Sequence, residues 1–311
     1  MDGPGPALTE AVVGEVDVPL GPLLTGGPGA LAIITGTRGP SYRCVGAAMA
    51  VAADGCHWGS LSSGCLERDV IAHAQQAMAD GQPRRLRYGE GSPFLDITLP
   101  CGGTLDITVV PHPDRQALSQ VVNGLAQRQV ATLMLRDDGT LATGGVGLTL
   151  RVLPQVRFIV FGSGAEAATF AALARAASYP VELFSPDGET VAAAGFGTET
   201  VAAGWPEGLV ADPFTAVTLF FHDHDREIAL LHDALTSPAF YVGAQGSLRA
   251  HNSRRAALMN EGLADDVVAR LASPYGLIPS TRDARTLAVS VLADVLARGP
   301  GGARAGGEEG V

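Results

Sequence analysis

Phe161-Gly162-Ser163-Gly164-Ala165-Glu166-Ala167 decides the fold of the C-terminal half of this chain. It is a GxGxxA turn that follows an apolar strand, residues 157–161, and opens a helix, residues 166–177. Gly162 allows the tight turn. Gly164 lets a pyrophosphate approach the backbone and sit on the helix N-terminus. Working outward, residues 181–185, 216–221 and 240–242 read as further strands, and an amphipathic helix over 282–298 closes the segment. Strands alternating with helices predict a parallel sheet covered on both faces, a doubly wound Rossmann-like domain spanning 154–298. The acid that would bind a dinucleotide ribose belongs at the end of the second strand, which reads Leu183-Phe184-Ser185-Pro186-Asp187. Ser185 holds the usual place and Asp187 comes late. Two readings stay open: an NAD(P) site, or a scaffold whose turn no longer takes a dinucleotide.

Upstream of Pro154 the rhythm differs. An apolar stretch lies around 12–24, and residues 31–35 read as a strand before a turn-rich stretch, 36–46. The apolar run 47–53 ends in Asp54-Gly55, a hairpin signal. Leu66, Val70, Ala74, Ala77 and Met78 recur at helical spacing until Asp80-Gly81 stops them. Residues 96–99 and 105–110 read as strands flanking Cys101-Gly102-Gly103. A helix over 116–128 precedes a hairpin of 131–136 and 141–150. Residues 1–153 therefore form an α+β domain of a different kind, and the glycine-rich tail 299–311 is expected to be disordered.

At 311 residues the chain has room for two such domains, at about 150 residues each. It carries 32 acidic against 21 basic side chains, and every one of those cations is arginine; there is no lysine. A lysine-dependent P-loop and Schiff-base chemistry are thereby excluded. A net charge of −11 argues against nucleic acid as a partner. No apolar run reaches the roughly 18 residues of a membrane span, and residues 1–6 lack the pattern of a signal peptide. The expectation is a cytoplasmic protein that holds anions with backbone amides, helix N-termini or arginine forks. Cys44, Cys56, Cys65 and Cys101 all fall in the first third, at spacings that match no common zinc pattern, and read as free thiols.

Four segments could carry chemistry. Gly59-Ser60-Leu61-Ser62-Ser63-Gly64-Cys65-Leu66-Glu67 is a Gly/Ser loop running into a helix, an anion cradle with Cys65 in the activating field of the first turn. Cys65 reads as a nucleophile or soft-metal ligand, or else as a small buried hydrophobe. Glu67 reads as a general base, or as a favourable first-turn acid. Cys101-Gly102-Gly103 sets a thiol beside exposed amides, or is an ordinary turn. His222-Asp223-His224-Asp225, past a strand end, could ligate a metal or form a hydrogen-bonded loop. Gly243-Ala244-Gln245-Gly246-Ser247-Leu248-Arg249, with Arg254 and Arg255 behind it, is a phosphate or carboxylate site, or a solvated helix start.

Taken in order, these segments resemble the xanthine dehydrogenase accessory proteins of the XdhC/CoxI type over nearly the whole chain. The resemblance rests on Gly39-Pro40-Ser41-Tyr42-Arg43-Cys44-Val45-Gly46, on Gly59 to Glu67, on Leu86-Arg87-Tyr88-Gly89 and on Cys101-Gly102-Gly103. It continues through the Gly162 turn, Phe221-His222-Asp223-His224-Asp225, Tyr241-Val242-Gly243-Ala244-Gln245-Gly246-Ser247, Pro274-Tyr275-Gly276-Leu277 and Leu287-Ala288-Val289-Ser290. It implies a family-specific N-terminal domain followed by a Rossmann-like one. It also implies a non-catalytic chaperone that binds molybdenum cofactor (molybdopterin), assists its sulfuration and delivers it to a molybdenum hydroxylase. The expected partners are that client, a cysteine desulfurase and a second copy of the chain, with neither nucleic acid nor membrane. The implied cofactor-binding residues are Arg43, Ser60, Gly64, Cys65, Glu67, Cys101, Gly102, Gly103, Gly162, Gly164, Gly246, Ser247 and Arg249, with Cys65 and Cys101 nearest the metal. The sequence departs from the family's Gly-Ser-Arg-Arg at Leu248 and from its Pro-Ile-Gly-Leu at Tyr275. The rival functions are an NAD(P)-dependent oxidoreductase built on the Gly162 turn, and a regulatory module acting through protein contacts.

Overall fold

The computed structural model describes residues 9–62, 64, 66–93, 99, 102–195, 205–221 and 227–300. The chain divides into two compact units, Met1–Pro154 and Gln155–Val311.

The first unit contains β1 (Glu10–Gly14), α1 (Gly21–Thr25), β2 (Gly29–Arg38), β3 (Ala48–Ala52), β4 (His57–Gly59), α2 (Glu67–Asp80), β5 (Arg84–Tyr88), β6 (Thr104–Pro111), α3 (Arg115–Ala126), β7 (Ala131–Arg136), β8 (Leu141–Ala142) and β9 (Gly147–Leu153). Five strands make an antiparallel sheet in the order β4-β3-β2-β6-β5, and four make a mixed sheet in the order β1-β9-β7-β8. The Asp54-Gly55 turn joins β3 to β4 as an antiparallel hairpin. Helix α2 buries Val70, Ala74 and Ala77. These join one core with Leu86, Tyr88, Ile107 and Val109 of the five-stranded sheet. Gly81 ends α2 at φ +70°, a left-handed cap that glycine adopts without steric cost.

Three local expectations change. The stretch read as one strand over 141–150 is two, because Gly145 and Gly147 take φ values of +128° and +150°. A Cβ on Gly147 would lie 2.1 Å from the carbonyl oxygen of Leu135, so only glycine lets the chain re-enter the sheet there. Strand β5, Arg-Arg-Leu-Arg-Tyr, has an arginine-rich composition that conceals its alternation of inward Leu86 and Tyr88 with outward Arg85 and Arg87. The apolar stretch from 12 contains the end of β1, which pairs in parallel with β9 at the far end of the unit.

The second unit runs β10 (Arg157–Gly162), α4 (Ala165–Ala176), β11 (Val181–Phe184), α5 (Gly188–Ala194), β12 (Thr215–Phe220), α6 (Glu227–Thr236), β13 (Tyr241–Ala244), α7 (Leu248–Asn260), α8 (Asp265–Val268) and α9 (Ala284–Arg298). All pairings in its sheet are parallel, in the order β11-β10-β12-β13. One face packs against Phe170 and Ala171 of α4 and Ala288 and Val291 of α9. The other packs against Leu231 and Leu235 of α6 and Leu258 of α7. This is the doubly wound, Rossmann-type sheet expected from the Gly162 turn, with its topological switch between β10 and β12.

Candidate functional site

Antiparallel pairing gathers the N-terminal motifs at one end of the five-stranded sheet. Arg38, the last residue of β2, pairs with Thr104, the first of β6. Tyr88, the last of β5, pairs with Leu105. Gly59, the last of β4, pairs with Met49 near the start of β3. Loops 39–47, 60–66 and 89–103 therefore leave the sheet at the same end. Their glycines are explained by contact. A Cβ on Gly103 would meet the Pro40 carbonyl oxygen at 2.0 Å, and one on Gly89 would meet the Gly103 oxygen at 2.3 Å. Loops 39–47 and 89–103 pack backbone against backbone at Gly103, which no larger residue allows. Gly64 and Gly102, at φ +94° and +71°, have open space where a side chain would stand.

Glu67 organises the loop before it. Its Oε1 accepts hydrogen bonds from the Ser60 hydroxyl (2.9 Å) and the amides of Leu61 (3.2 Å) and Ser62 (2.8 Å). Its Oε2 accepts from the Ser62 hydroxyl (2.7 Å) and the Leu66 amide (3.2 Å). Burial alone would raise the Glu67 pKa. The hydrogen bonds from Ser62 and Ser60 outweigh it and hold the carboxyl at about 2. A carboxylate so fixed in its charged form is a poor general base. The Leu61 and Ser62 amides, expected to cradle an outside anion, are turned onto this internal one.

Two residues along α2, Asp69 accepts a hydrogen bond from the Tyr88 hydroxyl at 2.5 Å. Burial, then Asp69, push that phenol well above its ordinary range. The bond ties α2 to the end of β5. Arg43 donates to Asp17 at 2.7 Å, anchoring loop 39–47 to the segment after β1. In the same loop Cys44 carries an exposed free thiol. Cys56, also exposed, lies in the turn at the opposite end of β3, away from these loops. The side chain and charge of Asp54 push the Cys56 thiol up. Cys65 and Cys101 lie outside the described residues.

In the second unit the Gly162 turn is closed on itself. The Gly164 amide, which a pyrophosphate would need, donates to Thr190 Oγ1 at 2.7 Å. That hydroxyl in turn donates to Asp187 at 2.6 Å. Asp187 caps α5 by accepting from the amides of Glu189 (2.9 Å) and Thr190 (3.2 Å). Both the amide and the late acid are thus committed internally, which disfavours the NAD(P) reading. At the second glycine-rich turn, Ser247 caps α7. Arg254 is buried and forms a bidentate pair with the fully buried Glu227 at 2.7 and 2.9 Å. It also donates to the Gln245 carbonyl at 2.6 Å, fixing the turn from beneath. Gly246 must be glycine, since a Cβ there would lie 2.8 Å from the Arg254 guanidinium. Arg255 pairs with Asp265. Arg249 stays exposed and makes no hydrogen bond or ion pair among the described residues.

His222, Asp223, His224 and Asp225 lie outside the described residues. Among the described residues, no cluster of three His, Cys, Asp or Glu side chains could hold a metal ion. None of their helices is long and apolar enough to cross a membrane.

A motif-bearing mixed α/β unit followed by this doubly wound one is the organisation of the XdhC/CoxI proteins, and the chain belongs to that family. Residues 23–89 match the XdhC and CoxI family model and residues 158–295 the XdhC Rossmann domain model. The chain is 34% identical over 285 residues to the molybdenum cofactor insertion chaperone PaoD of Escherichia coli, covering 88% of this chain and 84% of that one. It is 26% identical over 270 residues to the uncharacterized E. coli protein YqeB, covering 86% of this chain but 43% of that one. Its fold is similar to a solved structure described as a xanthine dehydrogenase from Bacillus halodurans. There the TM-score is 0.73 at 22% identity, covering 95% of this chain and 97% of that one.

Proposed function

We propose that this protein is a molybdenum cofactor insertion chaperone, which holds molybdopterin-bound molybdenum as cargo and hands it to xanthine dehydrogenase or a related molybdenum hydroxylase. The observation that carries this is the similarity to PaoD along most of both chains. The internal closure of the Gly162 turn removes the main support for an NAD(P)-dependent oxidoreductase. On this reading the protein catalyses no turnover of its own. The gathered loops of the first unit receive the cargo. Cys65 and Cys101 offer thiolates, soft ligands suited to the metal or to sulfur on its way to it. Glu67 acts through the 60–66 loop, holding its shape. Arg249 and the Gly246-Ser247 turn offer a second anion contact. The protein works in the cytoplasm as a homodimer, and a cysteine desulfurase supplies the sulfur.

The test is cofactor content. Protein purified without oxygen from cells that make molybdopterin should carry pterin, measured by fluorescence after oxidation. Cys65→Ser and Cys101→Ser should each carry less. A wild-type protein free of pterin that also fails to activate any molybdenum hydroxylase contradicts the proposal.

A further inference from the structure

The first unit contains a cleft that the sequence motifs do not announce. It occupies about 740 Å³ between the β5–β6 side of the five-stranded sheet and the β7–β9 side of the four-stranded one. Arg85, Arg87 and Arg136 line it, three of the 21 cations in a strongly acidic chain. They are not equivalent. Arg87 is neutralised by Asp106, directly opposite in the strand register, through bonds of 2.6 and 3.0 Å. Arg85 and Arg136 make no ion pair among the described residues and bond to the carbonyls of Asp137 and Gly144, although the Asp138 carboxylate lies within the field of Arg136. Asp137 lines the same cleft, and its carboxylate makes no hydrogen bond or ion pair among the described residues. Leu135, Leu148 and Val146 add apolar wall, with Val146 82% exposed at the rim. The cleft also adjoins the gathered loops, because a Cβ on Gly91 would stand 3.9 Å from the Arg87 side chain.

Two guanidinium groups outside any ion pair among the described residues, a carboxylate likewise unpaired and an apolar wall suit a flat molecule with an anionic tail and an amino-substituted edge. Resting on the chaperone reading, we infer that this cleft seats the phosphorylated pterin end of the cargo. Arg85 and Arg136 grip the phosphate through charge-assisted hydrogen bonds. Asp137 accepts from the 2-amino-4-oxo edge of the pterin, and Leu135, Leu148 and Val146 cover the ring. The gathered loops are left to receive the dithiolene and its metal.

Pterin content per chain, after anaerobic purification from one molybdopterin-producing host, tests this in wild type, Arg85→Gln/Arg136→Gln and Val146→Trp. The tryptophan fills the cleft from an exposed position and leaves both arginines in place, so it reports even if the double variant folds poorly. Both variants should lose roughly tenfold or more of the bound pterin, as expected when contacts to a charged group are removed or blocked. Val146→Trp should keep the wild-type circular dichroism and elution volume. Pterin equal in wild type and folded Val146→Trp overturns the cleft and leaves the chaperone reading intact. A pterin-free wild type overturns the chaperone reading and this assignment with it.

Discussion

Acidic residues opening a helix usually complement the dipole, but Glu67 also accepts from two serine hydroxyls and three backbone amides of the loop it follows. Its pKa is about 2 in the folded protein and near 4.5 when free. A depressed carboxyl stabilises the fold above its unfolded pKa, and that contribution is lost as pH falls toward 2. Glu67→Gln should therefore destabilise the first unit at neutral pH by about 1–3 kcal/mol. It should also flatten the fall in stability between pH 4.5 and 2. Urea unfolding across that range checks both, and a variant that parallels wild type throughout contradicts the role. Arg254 gives a sharper case in the second unit. Arg254→Met strands Glu227, whose side chain is fully buried, and should cost about 3–5 kcal/mol by thermal or urea unfolding. The sequence marked Arg254 and Arg255 as candidate anion ligands. The carboxylates that occupy them, 27 and 10 residues distant, had no local signature.

Whether an element was legible depended on how local its cause is. Strand β10, its glycine turn and α4 are written in consecutive residues, as are the Asp54-Gly55 hairpin and the Gly81 stop of α2. Strand β1 could not be read the same way, since its pairing partner is β9 at the other end of the unit. Strand β5 hid behind its arginines, although Leu86 and Tyr88 keep the period of two. The motif loops were visible as glycine- and cysteine-rich stretches; that they converge follows only from antiparallel register. At this scale the closed turn before α4 makes a prediction. Titration with NADH or NADPH should give no saturable fluorescence change, because Thr190 already satisfies the Gly164 amide. Tight, saturable binding would show that the turn opens for a dinucleotide and would restore the oxidoreductase reading.

For the molecule as a whole, the absence of lysine limits how an anionic cargo can be held to arginine and backbone amides. The structure narrows that supply further. Arg43, Arg87, Arg254 and Arg255 are paired with carboxylates, and the amides nearest the Gly/Ser loop serve Glu67. Within the two candidate anion sites, Arg85, Arg136 and Arg249 make no ion pair among the described residues. A chaperone also has to let its cargo go, and a site with few strong anchors favours release to a client that binds more tightly. The most direct test follows the cargo itself. Purified protein should be mixed without oxygen with a cofactor-free molybdenum hydroxylase, separated again, and assayed for pterin in each fraction and for hydroxylase activity. Pterin should leave this protein, appear in the hydroxylase and restore its activity in proportion. Pterin that stays with this protein while the hydroxylase remains inactive would contradict the chaperone reading.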